Sequence, residues 1–261
     1  MGILKQKIEN LNKYRFLLLE LIKKDIKLKY RRSYMGYIWT LLEPLLTMFV
    51  LTLVFSKLQG RDEKFFPVYV LTGRLLYSFF ANATKAAMKS IRHNAAMIKK
   101  VYVPKYIYPL ATILSNYIVF LLSLIVLVVV ATVLGMPPTF RIIYAVVPLF
   151  LILILCMGVG LILATFSVFF RDLEYLWGVV LMLIMYGSAI FYNIDTVIRN
   201  GYEWIFKVNP LYLLILNFRD AIYGRPLDQH ALIVTTVVSF STLLIGILLF
   251  YKKQDKFILN I

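Results

Sequence analysis

Cysteine and histidine are nearly absent from this 261-residue chain: Cys156 stands alone, and His93 and His230 are far apart. One thiol makes no disulfide framework, and no Cys/His/Asp cluster has the spacing of a metal site. There is no GxxxxGK[ST] loop, so the chain has no P-loop with which to hydrolyse ATP. The apolar stretches hold no paired acids and no Ser/His set, which argues against an intramembrane enzyme acting on lipid. Charge is scarce as well. Only 16% of the residues are Asp, Glu, Lys or Arg, where soluble domains carry roughly 25%.

What is present is long apolar sequence. Hydrophobic residues make up 61% of the chain, and no charged residue interrupts 106–140, 142–170, 175–194 or 229–251. Each run approaches or exceeds the ~20 residues that cross ~30 Å of hydrocarbon. Two further stretches, 33–56 and 65–84, carry one charge each, Glu43 and Arg74. The pattern predicts an all-α integral membrane protein with six transmembrane helices in a single domain, 1–261.

The net charge of +16 would suggest nucleic acid in a soluble protein, but its placement points to topology instead. Segments 1–32, 85–105, 171–174 and 252–261 hold twenty Lys and Arg against six acids. The intervening loops hold eight against six. Lys and Arg gather on the cytoplasmic side, so both termini are expected in the cytoplasm, with anionic lipid as a neighbour and no nucleic-acid partner.

Residues 1–32 alternate basic and apolar positions at three- and four-residue steps, predicting an amphipathic helix too polar to span. It should lie in the cytoplasmic interface, presenting Lys23, Lys24, Lys27, Arg31 and Arg32. Spans one to five occupy 33–192. Region 193–228 carries eight charges yet also contains PLYLLILNF, nine residues that cannot cross a bilayer. Asn209-Pro210 is a helix start, with an acceptor at the N-cap and proline in the first turn. A short helix that dips into the outer leaflet and returns is expected there, followed by span six at 229–251 and a cytoplasmic tail at 252–261. Glu43 and Arg74 are costly inside spans and point to protein or a water-filled cavity. Their estimated depths differ, so a direct pair is not assured. If the cargo is anionic, Arg74 is the residue expected to meet it.

Four stretches in order carry a family resemblance: KDIKLKYRRSYMGYIWTLLEPLL (Lys24–Leu46), IKKVYVPK (Ile98–Lys105), VFFRDLEY (Val168–Tyr175) and VNPLYLLILNFRDAIYG (Val208–Gly224). The chain resembles the transmembrane subunit of a type-2 ABC exporter, in the branch that exports polysaccharides and teichoic acids. The resemblance implies a homodimer working with two copies of a separate nucleotide-binding ATPase subunit in the bacterial cytoplasmic membrane. ATP and Mg would sit on that partner, and no cofactor on this chain. The cargo would be a lipid-linked glycan (O-antigen or capsule) or a polyol phosphate.

By the same resemblance, Lys99, Lys100, Val101 and Pro104 would belong to a coupling helix, with Arg171 and Asp172 in a second ATPase contact. Asn209, Pro210, Arg219 and Asp220 would belong to re-entrant gate helices. The chain departs from the family where Arg74 follows Gly73, a position that is often apolar. It departs again where Glu43-Pro44 stands in place of a frequent Asn- or Asp-type residue. Two other readings stay open: an ABC permease for a small molecule such as a drug or antibiotic, and an ion-coupled secondary transporter. The lack of an internal repeat counts against the latter.

Overall fold

The computed structural model describes residues 2–31, 34–59, 64–101, 103–192 and 203–260, and the side chains within them other than 2–13, 56–59, 203 and 205. The described residues are mostly helical and include no strand. In order they form α1 (Gly2–Tyr30), α2 (Trp39–Gln59), α3 (Phe66–His93), α4 (Ala95–Lys100), α5 (Ile107–Val133), α6 (Val146–Phe169), α7 (Leu173–Tyr186), α8 (Glu203–Val208), α9 (Pro210–Ile222) and α10 (Gln229–Lys253). Short 3-10 turns precede α2 and α6 and follow α10.

Among the described residues, four helical stretches are both long and apolar enough to cross a membrane: Gly36–Phe55, Ile107–Val133, Phe140–Phe169 and Gln229–Leu259. The two remaining expected spans fall on α3 and α7. With 28 residues, α3 is about 42 Å long at ~1.5 Å per residue, ample for a bilayer. Its charges dilute its hydropathy, and it is instead largely buried, packed between α2, α5 and α6. The apolar α7 has only 14 residues, about 21 Å, short of the ~30 Å of hydrocarbon.

A close helix crossing joins α6 to α10. A Cβ on Gly158 would lie 2.5 Å from the Leu243 backbone nitrogen, and one on Gly246 would lie 2.6 Å from the Gly158 carbonyl oxygen. Small residues let membrane helices approach this closely and gain dispersion contacts where lipid supplies no hydrophobic drive. The largest buried cluster joins α3, α5, α6 and α9. A second lies at the basic end, where Leu21 and Ile22 of α1 pack with Ile91, Ile98, Tyr108 and Phe257. Thus α1 is docked by its apolar face onto the bundle, chiefly along α5. At the other extreme is α2, with 6% of its most apolar window buried in the chain, against 50% for the stretch containing α6.

Candidate functional site

Pro44 lies inside α2 and has no N–H, so the Thr40 carbonyl loses its helical donor. The Ser123 hydroxyl of α5 donates to that carbonyl at 3.2 Å, and the Thr40 hydroxyl is within 2.7 Å of the Tyr30 hydroxyl at the end of α1. Thr40 thereby links three helices, its freed carbonyl to α5 and its hydroxyl to α1.

Beside this joint is a cavity of about 260 Å³. Three polar stripes line it, each at helical spacing: Thr40, Glu43 and Thr47 on α2, Arg74, Ser78 and Asn82 on α3, and Asn116 and Ser123 on α5. Lys29 reaches it from α1, and Trp39, Phe79 and Phe120 supply aromatic walls. Glu43 and Arg74, on different helices and at different estimated depths, therefore line one cavity. Among the described residues they form no ion pair with each other, and Arg74 lies 5.8 Å from the Tyr77 ring centroid. Two cationic and one anionic side chain, with amides, hydroxyls and aromatic faces, suit a hydroxyl-rich group bearing negative charge. Guanidinium and ammonium groups bond anionic oxygens.

The other intramembrane-type arginine is held quite differently. Arg219 of α9 is 6% exposed. Its guanidinium donates to the carbonyls of Tyr69 (3.1 Å), Ala189 (3.1 Å) and Ile190 (3.2 Å) and to the Thr72 hydroxyl (3.4 Å). It also stacks 3.5 Å from the Tyr69 ring centroid. Gly73 makes room, since a Cβ there would lie 2.7 Å from Arg219 Nη2. The predicted cap at the start of α9 forms: Asn209 Oδ1 accepts from the Leu211 N–H at 3.0 Å, ahead of Pro210. Its amide also donates to the Gly187 carbonyl and the Ser188 hydroxyl. Asp220 is half-buried near the end of α9. The helix is buried along Leu211–Ile215 and at Asn217, Phe218, Arg219 and Ala221, packed against α3, α6 and α10.

At the basic end, Lys23, Lys24, Lys27 and Arg31 are exposed on α1, while Arg32 lies outside the described residues. The six-residue α4 is anchored by buried Ile98 and presents Lys99, Lys100 and Val101 outward, with Pro104 half-buried. Lys105 Nζ donates to the Gln254 carbonyl at 2.7 Å, tying this segment to the C-terminal turn. Arg171 and Asp172 are exposed in the turn before α7. The next acid, Glu174, was not singled out in the sequence reading. It is bound to Lys89 (2.7 Å) and to Arg92 at the end of α3.

Relatives cover nearly the whole chain. The O-antigen export system permease protein RfbA of Klebsiella pneumoniae is 30% identical over 243 residues, 92% of this chain and 93% of its own length. A permease of the same name from Myxococcus xanthus is 26% identical over 252 residues, covering 96% and 97%. The polysialic acid transport protein KpsM of Escherichia coli is 21% identical over 240 residues, covering 89% and 91%. The profile described as ABC-2 type transporter matches residues 17–223, a stretch that holds the cavity, the Arg219 site and the basic-end helices together, and the chain belongs to the ABC-2 type transporter family.

Proposed function

We propose that this chain is the membrane permease of an ATP-driven exporter that moves a lipid-linked polysaccharide outward across the cytoplasmic membrane. The observation that carries the reading is the similarity over more than nine-tenths of both chains to a permease named for O-antigen export. A relative named for polysialic acid transport supports a glycan cargo. ATP and Mg belong to a separate nucleotide-binding subunit, and the exposed α1, α4 and Arg171–Asp172 surfaces are where it docks.

The proposed mechanism follows from what the residues can do. A cavity of about 260 Å³ has room for a headgroup and not for a polymer, so the glycan threads between two copies of the chain. The sparsely covered α2 faces the second copy. Arg74 and Lys29 draw the anionic carrier group, and the cavity amides and hydroxyls replace part of its hydration. Both termini are cytoplasmic. α3 makes a sixth-span count possible by being shielded from lipid. α7 completes its crossing with the residues after Tyr186, and α8 and α9 form a re-entrant pair at the outer mouth. There, backbone at membrane depth is covered by protein. ATP binding closes the partner subunits and shifts the basic-end helices as bodies between two arrangements.

The test is purification of the chain from its native membrane in mild detergent. A P-loop ATPase eluting at near 1:1 ratio, with surface glycan lost when the gene is deleted, is the expected result. Absence of any ATPase under several gentle conditions sinks the reading.

A further inference from the structure

α7 is held to the bundle in an unusual way. Leu181 is its single buried residue, and Tyr175, Leu176, Val179, Met182 and Leu183 are exposed. Its main tie is a polar seam running the length of α3. At the basic end Glu174 binds Lys89 and Arg92. One turn on, Trp177 Nε1 donates to Thr84 Oγ1 at 3.1 Å. Next the Tyr77 hydroxyl donates to the Leu181 carbonyl at 3.0 Å. Beyond α7, the Tyr69 hydroxyl donates to the carbonyls of Ala189 (3.0 Å) and Tyr192 (3.1 Å).

The charged link of this seam lies between the two surfaces assigned to ATPase docking. Arg92 sits in the last turn of α3, three residues before α4 begins, and Glu174 in the first turn of α7, two residues after Asp172. An acid at a helix start and bases at a helix end also complement the two helix dipoles. All three side chains are partly screened from water, with relative exposures of 25% for Glu174, 22% for Arg92 and 42% for Lys89.

We infer that α3 and α7 act as one lever, pinned by Glu174 between Lys89 and Arg92. Glu174 is then the positioning residue through which a push on α4 or on the Arg171–Asp172 turn reaches both helices. The inference rests on the permease reading above. Without the pin, the basic end of α7 loses its charged tie to α3, so a push on α4 moves α3 past the start of α7, and ATP is spent without transport.

The test uses the full complex of this chain with its co-purifying ATPase and follows glycan exported per ATP hydrolysed. In Glu174→Gln, export per ATP falls roughly tenfold while ATP turnover stays near wild type, as expected when a coupling free energy is removed. Reversing all three charges together (Glu174→Lys with Lys89→Glu and Arg92→Glu) restores it. Unchanged export per ATP in Glu174→Gln overturns the inference. So does a proportional loss of export and turnover, which marks a merely structural ion pair, and so does failure of the reversed set to recover. Should Glu174→Gln not accumulate, Lys89→Gln carries the same test with the Arg92 pair left in place. A wild-type complex with no ATP-dependent export sinks the permease reading itself, an outcome distinct from loss of the lever alone.

Discussion

Two arginines stand in apolar surroundings in this molecule, and they are treated in opposite ways. Around Arg219 every acceptor is supplied by the chain itself: three carbonyls, a hydroxyl and an aromatic face. Around Arg74 the neighbours are amides, hydroxyls and Glu43 spaced about a cavity of about 260 Å³, and among the described residues none of them bonds it directly. A desolvated cation is expensive. At Arg219 that cost is offset by four hydrogen bonds and a stacked ring, which makes the residue a fastener between α9, α3 and the segment after α7. At Arg74 the bonding capacity is not taken up by the cavity's own side chains, and on the proposed function it is what an anionic cargo group would meet. The difference teaches that a charge within a span is read by its partners and not by its depth.

The comparison breaks most visibly at Arg219. Replacing it with Ala strips partners from three buried carbonyls and frees α9 from α3. Each lost bond to a charged group is worth about 1.5–3 kcal/mol, so a loss of several kcal/mol is expected, read as collapse of the detergent-solubilised melting temperature and of membrane accumulation. Arg219→Lys recovers little, because one ammonium cannot reach acceptors arranged for a planar fork. Gly73→Ala acts from the other side, since its Cβ would press on Arg219 Nη2 at 2.7 Å. A chain with Arg219→Ala that accumulates and melts normally would show that the fastener reading is wrong.

At the cavity the expected signature is inverted. Arg74→Leu takes away no hydrogen bond among the described residues and removes a cation from apolar surroundings, so it does not lower the melting temperature, but on the proposed function it lowers export about tenfold or more by removing the charge that would meet the cargo. Glu43→Gln leaves a hydrogen-bonding group in place and lowers export less. Melting temperature and surface glycan measured on the same membranes separate the two arginines. Equal destabilisation by Arg74→Leu and Arg219→Ala erases the distinction.

How far the sequence disclosed this follows from the range of each interaction. The Asn209-Pro210 helix start was legible because a cap involves neighbours only, and Asn209 Oδ1 indeed accepts from Leu211 two residues on. The charge-free runs were legible because bilayer thickness imposes a length, and three of the four coincide with long apolar helices, while 175–194 falls on the shorter α7. The role of Arg219 was not legible. Its partners Tyr69 and Ile190 are 150 and 29 residues away, and a guanidinium finishing a backbone looks in sequence like one awaiting cargo. Glu43 and Arg74 were both marked as intramembrane charges. Their shared cavity is not legible because it depends on how α2, α3 and α5 pack, and Pro44 joins α2 to α5 in a way no local rule announces. Glu174 was missed for a simpler reason: it sits in a charged turn, where an acid needs no explanation until Lys89 and Arg92 are seen beside it.

Asp25 of α1 falls between the two arginine cases and sharpens the contrast with the smallest effect. It is partly enclosed against α5 and has one hydrogen bond, from the Thr112 hydroxyl at 3.3 Å. Burial raises its pKa above the ordinary 3.8, and Thr112, Lys24 and His93 pull the other way without cancelling it. A raised carboxyl pKa means that the folded chain holds the proton more tightly than the unfolded one. Stability is therefore greatest while the group is protonated, and it declines as pH rises from the ordinary value through the raised one. Above that window the cost of the buried charge is fully present. Asp25→Asn keeps an acceptor for Thr112 and removes the charge, so it should raise the melting temperature slightly at neutral pH and leave it unchanged at acid pH. A loss of stability at neutral pH would instead mean that Asp25, like Arg219, is completed by its partners, and that the neighbouring Lys24 and His93 outweigh its burial.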